Sequence, residues 1–158
     1  MNEMDAPTIA QRFFDETTQM RLSDELFAPD VVLHNYFLAR AEVQGIDRVR
    51  AAFALAYNAF PDAHVSIHEV LTDADTIVVR HTHHGTFTGP ILSVPPTGQA
   101  VEFDGVEIFR IRDGKIVDIW NFDDNATLLR QMGLLDSSTE YQSLVNTLAE
   151  GAQARAAG

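Results

Sequence analysis

The chain contains no cysteine. Disulfides, thiolate nucleophiles and cysteine-held zinc or iron–sulfur centres are therefore excluded. Basic residues are scarce as well: 11 Lys and Arg stand against 23 Asp and Glu, a formal charge of −12 over 158 residues. Nucleic acids and anionic membrane surfaces are bound through clustered Lys and Arg, so neither is an expected partner. A neutral or cationic small ligand stays open. No apolar run is long enough to span a bilayer, and MNEMDAPTIAQ lacks the basic start and apolar core of a signal peptide. A cytoplasmic protein is the expectation. No repeat or linker divides the chain, so residues 1–148 are expected to form one domain, with 149–158 as a flexible tail.

What is present changes its period along the chain. Residues 7–20 read as a helix that Asp5 or Thr8 can cap, with Ile9, Phe13 and Thr17 on one face. Residues 22–27 read as a short second helical piece, stopped by Pro29. An apolar β segment over 31–36 ends in His34-Asn35-Tyr36. A third helix is predicted over 46–60, burying Val49, Phe53, Ala56, Tyr57 and Phe60 ahead of Pro61. Beyond it the period is two, and 64–71 with 76–86 form a hairpin around Thr72-Asp73-Ala74-Asp75. Three prolines make GPILSVPPTG at 89–98 a stiff connection. Residues 101–135 then read as two long strands joined by a tight Arg-Asp-Gly-Lys turn, followed by a capped helix ending at a glycine. A last helix is predicted over 139–148. This order predicts an α+β fold, with three N-terminal helices packed on one face of a curved, mainly antiparallel sheet.

Several polar residues interrupt apolar rows. In a regular strand Val101, Phe103, Gly105, Glu107, Phe109 and Ile111 share a face, which puts Glu107 mid-row. An isolated ionised carboxylate is costly there, so Glu107 is neutral, paired or in a polar pocket, unless a bulge at Gly105 turns it to solvent. Ile119, Asn121 and Asp123 share a face of the next strand in the same way. His81 and His83 lie on one face with Ile77 and Val79, either as proton carriers or as hydrogen-bonded core or rim residues. Their spacing also suits zinc, but no third ligand is legible, so no metal is expected. Asp123 and Asp124 compete to cap the helix near Asn125; extended register turns Asp123 inward and leaves Asp124 as the cap. Polar residues on the apolar faces of neighbouring strands suggest a cavity with chemistry at its mouth. Val106, Ile108, Trp120 and Phe122 fall on the opposite sheet face, where uncovered apolar side chains predict a partner surface.

The segments LFAPDVVLHN at 26–35, FPDAHVSIHEVL at 60–71, GTFTGPILSVPPTGQAVEFDGVEIFRIRDGKIVDIW at 85–120 and LLRQMGLL at 128–135 carry a resemblance. Together with the 45–60 helix they resemble the SnoaL-like polyketide cyclases, in the superfamily of cone-shaped nuclear transport factor 2-like folds. The resemblance implies an intramolecular aldol condensation on a polyketide ester, with no metal and no cofactor. It also implies a homodimer through the outer sheet face. In that family an aspartate just after the tryptophan acts as acid/base. Asn121 occupies that position here, and an amide cannot exchange a proton at neutral pH. Asp123 or Asp124 is left to substitute. Glu107 resembles the site of a carboxylic acid in the related ketosteroid isomerases, and His81 and His83 resemble positions of a catalytic pair in limonene epoxide hydrolases. His34 resembles the family's histidine near the pocket mouth, with a cap or turn role as its plain alternative.

The leading expectation is a cofactor-independent acid/base enzyme acting on a hydrophobic polyketide-like substrate. Asp123, Glu107 and His83 would be catalytic, and His34, His81 and Asn121 would contact substrate. An isomerase or epoxide hydrolase would use the same groups. A small-ligand binding module is the alternative from another class, and the amide at Asn121 keeps it open.

Overall fold

Asp5 opens the first helix, its carboxylate accepting from the Thr8 amide at 2.9 Å with a proline in the first turn. This is α1 (Ala6–Thr18), and it buries Ile9, Ala10, Phe13, Phe14 and Thr17. The computed structural model describes residues 4–35 and 41–135, with 143, 146 and 147. The remaining elements are β1 (Phe27–Asn35), β2 (Ala41–Gln44), α2 (Ile46–Tyr57), β3 (His64–Asp73), β4 (Thr76–Thr86), β5 (Ala100–Arg112), β6 (Lys115–Asp123) and α3 (Asn125–Gln131). The expected tail over 149–158 lies outside the described residues, as does most of the helix expected over 139–148.

The six strands form one sheet in the order β2-β1-β6-β5-β4-β3. Every pairing is antiparallel except β1 with β6. That parallel joint places Leu33 opposite Ile119 and His34 opposite Trp120. The β5–β6 hairpin turns through Asp113 and Gly114, at φ 52° and 72°. Two consecutive positive φ values match the twist of the flanking strands, and glycine meets the second without strain.

The chain is α+β, but its helices are not all N-terminal. Residues 22–27 are a turn rather than a helix, with the Leu26 and Phe27 amides both donating to the Ser23 carbonyl. The Glu16 carboxylate takes the Ser23 amide and hydroxyl, at 2.8 and 3.0 Å, which pins the turn to α1. A segment this short cannot repay helix nucleation, and Pro29 blocks its extension. Phe27 enters β1 instead, and the β1–β6 register shifts between Phe27 and Val32, across that proline. The third helix, α3, follows the sheet. The short strand β2 was not legible in the sequence.

The concave face of the sheet is closed by α1 and α2. Phe13 sits at the centre, its ring 4.5 Å from that of Phe109, 5.8 Å from Phe53 and 6.0 Å from Phe27. A second apolar cluster, Ala59, Phe87, Ile91, Val101, Leu128 and Met132, seals the end under α3. Gln131 fastens that helix to β5: its amide bonds the Glu102 amide and carbonyl at 2.8 and 3.0 Å.

Candidate active site

Between the two clusters the concave face is left partly unfilled. A cavity of about 90 Å³ lies there, with Phe53 and Tyr57 of α2 on one side and Phe103, Glu107, Asn121 and Asp123 of β5 and β6 on the other. Strand register decides what meets inside it. Gly105 is paired with His81 on one side and with Asp123 on the other. Glu107, one step along the same face, is paired with Val79 and Asn121. The ladder runs unbroken through Gly105, so Glu107 stays inward and is 2 % exposed.

Gly105 is what lets the histidines reach the acid. A Cβ there would stand 2.7 Å from His81 Nε2 and would collide with Asp123 Oδ1. Over this bare backbone His81 Nε2 lies 3.6 Å from Asp123 Oδ1, and His83 Nε2 lies 3.8 Å from the same oxygen. The imidazoles are held by packing: His81 lies 4.7 Å from the Phe14 ring, and His83 is stacked 4.9 Å from Phe103.

Asn121 joins the two acids. Its amide nitrogen donates to Glu107 Oε1 at 2.7 Å and to Asp123 Oδ2 at 2.9 Å. One amide group thus spends its two hydrogens on two carboxyls, a task an aspartate could not perform. Glu107 Oε2 and Asp123 Oδ1, the oxygens left over, have no hydrogen-bond partner, and neither does His81 Nε2.

This arrangement separates the acids by protonation. Burial, and then the negative charge of Asp123, push Glu107 well above the usual carboxylate range. Burial works in the same direction on Asp123, but His81, His83 and the Asn121 amide outweigh it and hold Asp123 below its ordinary value. Burial pushes His83 down to about 4 against the pull of Asp123. The Tyr57 phenol is pushed up by burial and by the charge of Glu107. The site therefore sets a carboxyl biased toward its neutral form beside one biased toward its charged form, a pairing that suits acid/base work.

Five of the six residues singled out in the sequence meet here: Glu107, His81, His83, Asn121 and Asp123. His34 does not. The parallel β1–β6 register turns Leu33 toward the cavity and sets His34 on the outer face, stacked on Trp120 with rings 4.6 Å apart. There His34 is held by Asp118 at 3.0 Å and Glu42 at 3.2 Å. Asp124 caps α3, accepting from the Thr127 amide at 3.0 Å, which leaves Asp123 free to face inward. Tyr57 and Gly105 were not singled out as site residues. Tyr57 carries the one hydroxyl in the apolar row Phe53, Ala56, Tyr57, Phe60, and Gly105 is a gap in a row of large side chains; both signals were present in the sequence.

A model of the SnoaL-like polyketide cyclases matches residues 8–132. The chain belongs to that family. No curated protein sequence matches it significantly. Among solved structures, AclR, a candidate hydroxylase from Streptomyces galilaeus, is 25% identical with a TM-score of 0.73, over 98% of each chain. TsrD from Streptomyces laurentii is 27% identical with a TM-score of 0.70, over 84% of this chain and 100% of that one. A candidate SnoaL-like polyketide cyclase from Jannaschia sp. CCS1 is 24% identical with a TM-score of 0.70, over 84% of this chain and 96% of its own, and shares the fold. The sheet and helices follow the nuclear transport factor 2-like plan of this family. Among the described residues no helix is long and apolar enough to cross a membrane.

Proposed function

We propose that the chain closes a ring in a hydrophobic polyketide-like substrate by an intramolecular aldol reaction, using acid/base groups of its own. The observation that carries this reading is the Asn121 bridge, which joins Glu107, its carboxyl biased toward the neutral form, to Asp123, biased toward the charged form, in one apolar cavity. Asp123 takes a proton from the carbon beside a carbonyl. The electron pair released forms the new carbon–carbon bond to a second carbonyl carbon of the same molecule. That carbonyl's π pair moves onto its oxygen, which takes the proton of Glu107 Oε2, an atom with no other partner. The proton on Asp123 then returns to Glu107, and atoms balance without a co-reactant. His81 favours Asp123 in its charged form, and His83, kept neutral by burial, can pass the proton on. The small cavity takes the reacting ring, and the rest of a larger substrate lies outside it.

The outer sheet face is part of the same proposal. Val106, Ile108, Trp120 and the half-exposed Phe122 make it apolar enough to join two copies of the chain.

Incubation with linear polyketide esters, followed by mass spectrometry across about pH 5 to 9, tests the reaction. A ring product that keeps the substrate's mass, or loses one water, supports it. Binding without product at every pH would leave a ligand carrier. A product heavier by one oxygen would favour the hydroxylation suggested by AclR.

A further inference from the structure

We propose that His81, His83, Glu107 and Asp123 form a binding site for one first-row divalent cation, with the ligand preference of zinc, whose occupancy halts proton transfer in the cavity. The first half stands on the cluster itself. The second rests on the acid/base reading above.

Each of the four residues offers one donor atom, and all four atoms lie within 4.8 Å of one another. The two measured edges, 3.6 and 3.8 Å from the imidazole nitrogens to Asp123 Oδ1, are too long for good hydrogen bonds. They are close to the edge of about 3.4 Å that a tetrahedral site with bonds near 2.1 Å requires. Small side-chain rotations into the adjoining cavity would close the remainder.

The unpartnered atoms point the same way. His81 is fully buried, and its Nδ1 faces the Val79 carbonyl at 3.4 Å. A carbonyl only accepts, so Nδ1 is the nitrogen that turns a hydrogen toward it. Its Nε2 faces Asp123 Oδ1 at 3.6 Å, and neither atom has a hydrogen-bond partner. Two buried ligand-type atoms left unpartnered at that distance leave a place for a cation between them. Glu107, 2 % exposed, adds Oε2, likewise without a partner.

The surroundings are those of a held ligand set. The second nitrogen of His81 is anchored by a backbone carbonyl, and both carboxyls are oriented by the Asn121 amide. Two imidazoles with two carboxylates favour zinc, cobalt or ferrous ions over magnesium and calcium, which prefer all-oxygen shells. Such an ion would occupy the unpartnered oxygens of both Glu107 and Asp123. Acid and base would be lost together.

Cobalt titration of the chelator-treated full chain, read by visible absorption, tests the first half. One equivalent should bind with the intense bands of a low-coordinate site, displaced by Zn2+ and untouched by Mg2+. His81→Ala and Asp123→Ala should each weaken binding by on the order of 100-fold, whereas the surface pair His64→Ala/His68→Ala should leave it unchanged. Zn2+ should also raise the melting midpoint of the wild-type chain, a readout that needs no variant to fold. Absent cobalt bands, or binding that survives His81→Ala and is lost with the surface pair, would overturn the site. For the second half, Zn2+ should abolish ring closure and a chelator should restore it. Full turnover by zinc-loaded protein overturns it. Absence of turnover under every condition brings the second half down with the acid/base reading, while the absorption result still decides the first.

Discussion

Asp123 faces His81 across the bare backbone of Gly105, with Oδ1 and Nε2 3.6 Å apart. The contact belongs to no single strand: β4 supplies the imidazole, β6 the carboxylate, and β5 the vacancy between them.

Gly105→Ala tests that vacancy. The added methyl group meets two polar side chains rather than a soft apolar wall. The variant should fold with a penalty of about 1–3 kcal/mol from overpacking. Its turnover should fall far more steeply than its stability. Circular dichroism melts beside product assays would read both, and wild-type turnover in Gly105→Ala would refute the pairing.

Glu107→Gln removes the proposed proton donor but retains an oxygen for the Asn121 amide. Turnover should drop by roughly 10²-fold or more with the fold intact. Stability in chelator-treated protein should show the sign of the raised carboxyl. The stabilisation from protonated Glu107 is fully present below the ordinary value of 4.5 and is lost as pH rises through the higher folded value. The wild type should therefore lose stability relative to the variant as pH rises above that ordinary value. Parallel melting curves at all pH values would show that Glu107 is not perturbed.

Asn121→Asp places an acid at the position where the family resemblance expects one. It removes both bridging hydrogens and crowds three carboxyls together. The expected cost is about 1–3 kcal/mol at neutral pH, with lower turnover. A gain in turnover would move the base from Asp123 to residue 121.

Trp120→Asp combined with Ile108→Asp puts charge on the apolar part of the outer face. If two copies join there, an unpaired buried charge costs several kcal/mol, and monomers or insoluble protein should result. An unchanged dimer by light scattering would exclude this face.

Period-two alternation was enough to turn Glu107, Asn121 and Asp123 inward, because a strand has only two faces. It served His81 and His83 equally well. The convergence of all five depended on register, which alternation does not encode: His81 meets Asp123 only because both are level with Gly105. His34 shows the same limit from the other side. Its facing was set by a parallel partner far along the chain, which no local pattern announces. Residues 22–27 carry helical apolar spacing, and Leu22 and Leu26 are indeed buried, but by a turn anchored to Glu16. The acids that face the histidines stayed hidden for the same reason, since Glu107 and Asp123 arrive from two other strands.

The parallel joint between β1 and β6 also sets an order of assembly. His34 and Asp118, bonded across it, are 84 positions apart in the sequence. The β3–β4 and β5–β6 hairpins close over short loops, whereas this seam must wait for the loop entropy of most of the chain to be met. One wall of the cavity, carried by Leu33 and α2, therefore docks onto a sheet in which His81, Glu107 and Asp123 are already aligned. Amide exchange should find β1 opening before β4 and β5, so that the molecule unfastens first along its one parallel seam.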